Sequence, residues 1–78
     1  MKLFLLEARS KRQEWQPWYD KAFAFVVRAG DEKAARVLAS KKAGDEGAAA
    51  WLNVEASTCV ELDKEGLAEV IIRDYASA

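Results

Sequence analysis

The stretch EWQPWYDKAFAFVVRAG at residues 14–30 constrains the fold more than any other part of the chain. It holds two of the three tryptophans, one of the two tyrosines and the only proline, followed at once by an apolar run. Within 21–29, the side chains of Phe23, Phe25 and Val27 alternate with smaller apolar residues, as in a strand. Because both faces of this strand are apolar, the pattern predicts that it lies at the centre of a sheet.

Two further segments are predicted to be strands. The run KLFLLEA at 2–8 is apolar, bounded by charge and too short for a stable helix alone. Near the other end, LAEVIIRDY at 67–75 combines β-branched residues with an alternating pattern, and we predict the third strand there. The stretch between 57 and 66 is rich in turn-forming residues, with a short extended piece at 59–62.

The main helix is predicted at residues 31–42 because both of its ends are marked. Asp31 can cap the first turn, and Gly44 follows the last turn as a stop signal. Glu32 and Arg36 stand four apart and can pair on the helix surface. A shorter helical turn is expected near 47–52. The buried stripe of the main helix is expected to consist of Ala34, Ala35, Val37, Leu38 and the stem of Lys41.

These elements predict one small α+β domain spanning residues 1–78, with the order β-β-α-(short helix or loop)-β. A three-stranded, mainly antiparallel sheet with the main helix packed on one face satisfies that order. A chain of 78 residues buries only about 60–65% of the surface that its unfolded form exposes. The large aromatic side chains therefore have to supply much of the burial.

Several classes of chemistry lack their usual residues in this chain. Histidine, the commonest general base and metal ligand, is absent, so Cys59 has no imidazole partner to activate it as a nucleophile. The four glycines are scattered and form no phosphate-binding loop. We therefore expect no enzymatic activity, no cofactor and no metal site. One cysteine and the lack of a long apolar run lead us to expect a cytoplasmic protein without a membrane segment.

Charge is divided unevenly along the chain. Residues 1–40 contain eight basic and five acidic side chains, whereas residues 41–78 contain four basic and eight acidic ones. The acidic half is either an ordinary solvated surface or a face that meets a basic partner, in which case at most half of its carboxylates are expected to matter. The candidate contacts are Asp45, Glu46, Glu55, Glu61, Asp63, Glu65, Glu69 and Asp74.

An alternative binding site is the polar loop at residues 9–18. It combines the cations Arg9, Lys11 and Arg12 with the aromatic ring of Trp15, and such a mixture can hold single-stranded nucleic acid by charge and stacking. The same pattern also fits a solvated loop that folds its aromatic rings onto the sheet. Trp18 and Tyr19 are expected to pack against the sheet edge in either case.

From Trp18 onward the chain resembles small, largely uncharacterised proteins of phages, prophages and bacterial genomes. Their pattern is roughly W-Y-D-K-A-F-G-F-V-V-R-A, then an Ala/Arg helix, A-G-D-E, W-L, T-C and V-I-x-R-D-[FY]. The resemblance covers about three-quarters of this chain. It departs at Ala24, where the pattern has glycine, and at Asn53-Val54, where the pattern has Asp-Pro. No catalytic residues come with the family.

The resemblance implies a phage-type accessory protein acting in the cytoplasm of a bacterial host cell. Small acidic-faced α+β proteins of this origin include inhibitors of host defence such as anti-CRISPR proteins, which often occupy the DNA-binding surface of an effector complex. The expected partner is thus a host protein or nucleoprotein complex, bound through the acidic face so that DNA is excluded. Direct nucleic-acid binding through the loop, or an interaction role without inhibition, remains the alternative. The chain is expected to be a monomer or a small homo-oligomer.

Overall fold

A computed structural model describes residues 1–17 and 19–73 as a three-stranded antiparallel sheet with two helices. The α+β architecture and its order of elements are confirmed. A 3₁₀ turn at Gln13–Trp15 lies between the first two strands. In chain order the strands and helices are β1 (Lys2–Ala8), β2 (Ala24–Ala29), α1 (Glu32–Ser40), α2 (Ala48–Leu52) and β3 (Ser57–Leu62).

The central strand is β1, with β2 and β3 on either side, so the prediction that β2 is central was wrong. Three consecutive residues of β1, Phe4, Leu5 and Leu6, are buried. In β2, by contrast, Val26 is 55% exposed. The apolar character of both faces of β2 was a misleading signal because only one of those faces is covered by the helices.

The third strand lies ten residues earlier than predicted, at Ser57–Leu62. It includes the short extended piece expected at 59–62. Residues 67–73 form no strand, and Asp74 and Tyr75, the rest of the predicted strand, lie outside the described residues. The β-branched composition of 67–73 misled the prediction, since strand formation depends on a neighbouring strand as well as on local preference.

Asp31 caps α1 as predicted, because its side-chain oxygen accepts a 2.8 Å hydrogen bond from the backbone N–H of Ala34. Of the predicted buried stripe only Ala35 is buried, and the buried residues of α1 are Ala35, Arg36 and Ala39. The guanidinium of Arg36 donates hydrogen bonds to the carbonyl oxygen of Trp51 and to both oxygens of Ser57. These bonds hold a charged residue where the pattern placed apolar ones. Residues left exposed instead are Ala34, Val37, Leu38 and Lys41.

Gly44 lies beyond the end of α1, which stops at Ser40. A Cβ atom at Gly44 would overlap the backbone oxygen of Asp20, which also accepts a 2.7 Å hydrogen bond from the N–H of Asp45. Glycine is therefore required here by the close approach of two loops rather than by helix termination.

The core is built around two tryptophan rings on the helix-covered face of the sheet. Trp15 and Trp51 are both fully buried and meet edge to face, with ring centroids 5.5 Å apart. Phe25 packs against Trp51 in the same manner at 4.8 Å. Tyr19 is exposed, contrary to the expectation that it packs on the sheet edge, and Trp18 lies outside the described residues. Within the described residues, no helix is long and apolar enough to cross a membrane.

Candidate partner-binding surface

Glu46 belongs to the core and not to the acidic surface predicted for it. One carboxylate oxygen accepts a 2.9 Å hydrogen bond from the N–H of Ala22. The other accepts from the N–H of Gly44 at 3.1 Å and from the indole Nε1 of Trp51 at 2.6 Å. A carboxylate with three donors is satisfied inside the fold. Glu46 is therefore a structural residue.

Of the remaining candidate carboxylates, all that fall within the described residues are exposed, whereas Asp74 lies outside them. Exposure alone does not make them equivalent, because some lie beside cations. The exposed candidates are Asp45, Glu55, Glu61, Asp63, Glu65 and Glu69.

Three of these carboxylates have a basic neighbour that offsets their charge. Asp45 lines a crevice that also contains Arg12 and Lys21. The carboxylate of Glu61 lies 3.6 Å from the Nζ of Lys2, and both side chains are about half exposed. The pKa of the Arg12 guanidinium is raised mainly by Glu14, and the charge of Glu55 adds the smallest contribution. These residues therefore present less net negative charge than the sequence suggests.

The other three, Asp63, Glu65 and Glu69, make no ion pair with any described residue. They follow β3, and together with Glu61 they give residues 61–69 four acidic side chains against a single Lys64. We name residues 61–69 the carboxylate segment. It carries a net charge of −3, and all of its charged side chains are exposed to solvent.

The alternative loop site is changed by the position of Trp15. Its ring is fully buried, and its Nε1 donates a 2.7 Å hydrogen bond to the carbonyl oxygen of Ala22. The loop thus folds this ring into the core, which is the second of the two expected arrangements, and the ring is not exposed for stacking on a base. Arg12 is engaged by Glu14 through hydrogen bonds of 2.9 and 3.2 Å, which raise the pKa of Arg12 and lower that of Glu14. Of the three cations predicted for this loop site, Arg9 and Lys11 are exposed and make no ion pair with a described residue.

The crevice beside this loop has a volume of about 670 Å³ and a mixed lining. Its charged residues carry both signs, so it offers no field of one sign to a charged ligand. The residues that line it are Arg12, Gln13, Glu14, Gln16, Lys21, Asp45 and Glu46.

An apolar groove of about 530 Å³ lies between α1 and the chain that leaves α2. Val37, Leu52 and Val54 line it together with Glu32, Lys33 and Arg36. This surface was not evident in the sequence, because the helical spacing predicted that Val37 belongs to the core. The spacing of apolar residues on α1 gave no means of telling an exposed apolar stripe from a buried one.

Cys59 is half-buried on β3, and burial raises the pKa of its thiol, with a smaller contribution from the charge of Glu32. A raised pKa leaves less of the nucleophilic thiolate near neutral pH. Among the described residues, no group of three Asp, Glu, Cys or His side chains is placed to hold a metal ion.

Comparison of the chain with protein-family models, with curated proteins and with solved structures finds no match. The resemblance to phage and prophage proteins therefore stays a prediction.

Proposed function

We propose that this protein is a non-enzymatic inhibitor that binds a nucleic-acid-handling complex through its acidic half and keeps DNA from that complex. The observation that carries the proposal is the carboxylate segment, in which Asp63, Glu65 and Glu69 are exposed and have no ion pair with a described residue. Closely spaced negative charges compete with phosphate groups for a basic groove. The resemblance to phage proteins supports a bacterial host complex as the partner.

One other feature supports protein binding over small-molecule chemistry. Large apolar side chains remain exposed in the groove lined by Val37, Leu52 and Val54. Exposed apolar patches are typical of interaction surfaces. A contact that combines this groove with the carboxylate segment would have an apolar part for affinity and a charged part for orientation.

The proposal is tested by capturing partners from bacterial extracts and then measuring DNA binding by the captured complex. We expect the complex to lose DNA as the protein is added. The protein concentration that gives half-inhibition should rise when the DNA concentration rises. Capture of a complex that still binds DNA in the presence of saturating protein would contradict inhibition and indicate an interaction protein instead.

The charge requirement is tested with a double charge reversal inside the carboxylate segment and a single reversal outside it. Asp63→Lys combined with Glu65→Lys is expected to abolish DNA displacement. Glu7→Lys, which reverses an exposed carboxylate on β1 outside the carboxylate segment, is expected to leave displacement intact. Equal loss in both would show that total charge matters rather than this segment.

A further inference from the structure

Residues 67–72, with the sequence LAEVII, expose several large apolar side chains to solvent. Leu67 is 92% exposed and Val70 is 80% exposed, and Ile71 is half exposed. A globular chain rarely leaves several large apolar side chains in one short segment open to water unless another surface covers them.

The backbone of the same region also has no hydrogen-bond partner among the described residues. From Asp63 to Ile72, no backbone hydrogen bond joins this stretch to any other described residue. The composition of 70–72, valine followed by two isoleucines, is that of a strand. Residues 67–72 therefore have the character of a strand that lacks a neighbouring strand.

A free strand edge is present on the same chain. β3 is an outer strand, paired only with β1, and Thr58–Leu62 make no backbone hydrogen bond on the opposite side to any described residue. On the sheet face away from the helices, Val60 of β3 is 57% exposed. An edge of this kind accepts an added strand through main-chain hydrogen bonds and alternating side chains.

We propose that two copies of the chain associate by reciprocal strand addition, with residues 67–72 of each copy pairing antiparallel with β3 of the other. The four residues Asp63–Gly66 are enough for a hairpin within one chain, yet the chain does not form it. A two-fold dimer covers residues 67–72 of both copies and the β3 edge of both copies in a closed assembly. This inference does not depend on the inhibitory function.

We choose the register that pairs the leucines at the adjacent ends of the two segments. With Leu67 opposite Leu62, Val70 lies opposite Cys59 and Glu69 lies opposite Val60. The two acidic side chains of Glu61 and Glu69 are then not directly opposite each other. Directly opposed residues in an antiparallel pair have Cβ atoms about 4.5–5.5 Å apart, close enough for a disulfide after small adjustment.

That register makes the proposal testable by cross-linking with the native cysteine. Val70→Cys, oxidised and run without reductant, is expected to give a covalent dimer that disappears on reduction or in the additional presence of Cys59→Ser. Leu52→Cys is the matched control, since Leu52 is also exposed but lies on α2, and it is expected to stay monomeric on the gel. A monomer with an internal disulfide, or no disulfide, would overturn the proposal.

Sedimentation equilibrium of the unmodified chain gives an independent measurement. We expect a mass of twice the 8.7 kDa chain at high concentration, reduced to the monomer mass by Val70→Glu and unchanged by Leu52→Glu. Because Val70 is exposed in the single chain, its replacement should not unfold the domain. A monomer at all concentrations, or a dimer that survives Val70→Glu, would contradict reciprocal strand addition.

Discussion

The indole Nε1 of Trp51 donates a 2.6 Å hydrogen bond to the buried carboxylate of Glu46. This bond joins α2 to the loop that precedes it, while the Trp51 ring meets Trp15 and Phe25 edge to face. One acidic residue thereby completes the aromatic core. The acidic surface available to a partner is consequently smaller than the charge count suggests, and it is centred on the carboxylate segment.

We predict that Glu46→Gln destabilises the domain. The amide keeps one acceptor oxygen, but its NH₂ group would face N–H donors that the carboxylate now satisfies. Leaving buried donors unpaired costs about 1–3 kcal/mol. For a chain of this size, that corresponds to a drop of about 4–24 °C in Tm, measured by circular dichroism. Asp45→Asn, an exposed neighbour, should leave Tm nearly unchanged, and equal Tm values in all three proteins would contradict the structural role of Glu46.

Two glycines are expected to respond in opposite ways to alanine. Gly44→Ala forces a methyl group onto the backbone oxygen of Asp20, and overpacking of this kind costs about 1–3 kcal/mol. At Gly66, an added Cβ atom would meet no other atom within 4 Å, so Gly66→Ala should be neutral or slightly stabilising. Chemical denaturation of the two variants compares them directly. A stable Gly44→Ala protein would show that the two loops do not approach so closely.

Trp15→Ala is expected to remove a large part of the stability of the domain. Truncation of a buried tryptophan costs about 3–5 kcal/mol, against a total of about 5–15 kcal/mol for a typical domain. Trp15→Phe keeps a ring in the core and loses mainly the bond to Ala22, so it should cost less. Urea unfolding measures both. If Trp15→Ala were as stable as the parent but lost binding to an oligonucleotide, the loop would be a nucleic-acid site after all.

The thiol of Cys59 is expected to titrate above the usual range for cysteine because burial raises its pKa. A group whose pKa is higher in the folded state stabilises the fold below its unfolded pKa, and that contribution is lost as pH rises through the folded value. Stability should thus fall above about pH 8.5 more steeply in the parent than in Cys59→Ala. Thiolate absorbance in the far ultraviolet gives the pKa directly, and a value below that of a free thiol would contradict burial as the dominant cause.

The sequence was sufficient for the fold class, the first strand, the capping role of Asp31 and the short second helix. Each of these depends on local signals, such as a capping side chain or a short apolar run. The paired strand β3 was harder to place because STCVEL, with a polar start, is a weaker strand pattern than LAEVII. Pairing with β1 decided between them, and no local pattern contains that information.

The site was predicted less well, for a related reason. Arg36 and Glu46 are buried because distant partners satisfy them, Ser57 in the first case and Ala22 in the second. From sequence alone, a charged residue is predicted to lie on the surface unless its partners are known. Around Trp15, the sequence fitted both a binding loop and a loop that folds its aromatic ring onto the sheet. The contact between its ring and that of Trp51 supports the second.

The most direct test of the proposed function compares two affinities for the captured complex. One is that of the parent protein, and the other is that of a variant in which the charges of three carboxylates are reversed. We predict that Asp63→Lys, Glu65→Lys and Glu69→Lys together weaken binding at least tenfold, about 1.4 kcal/mol, while Glu7→Lys changes it little. Binding of the parent should also weaken as ionic strength rises. An affinity that is equal in the parent and the triple variant at both low and high salt would contradict the claim that this segment binds a basic surface.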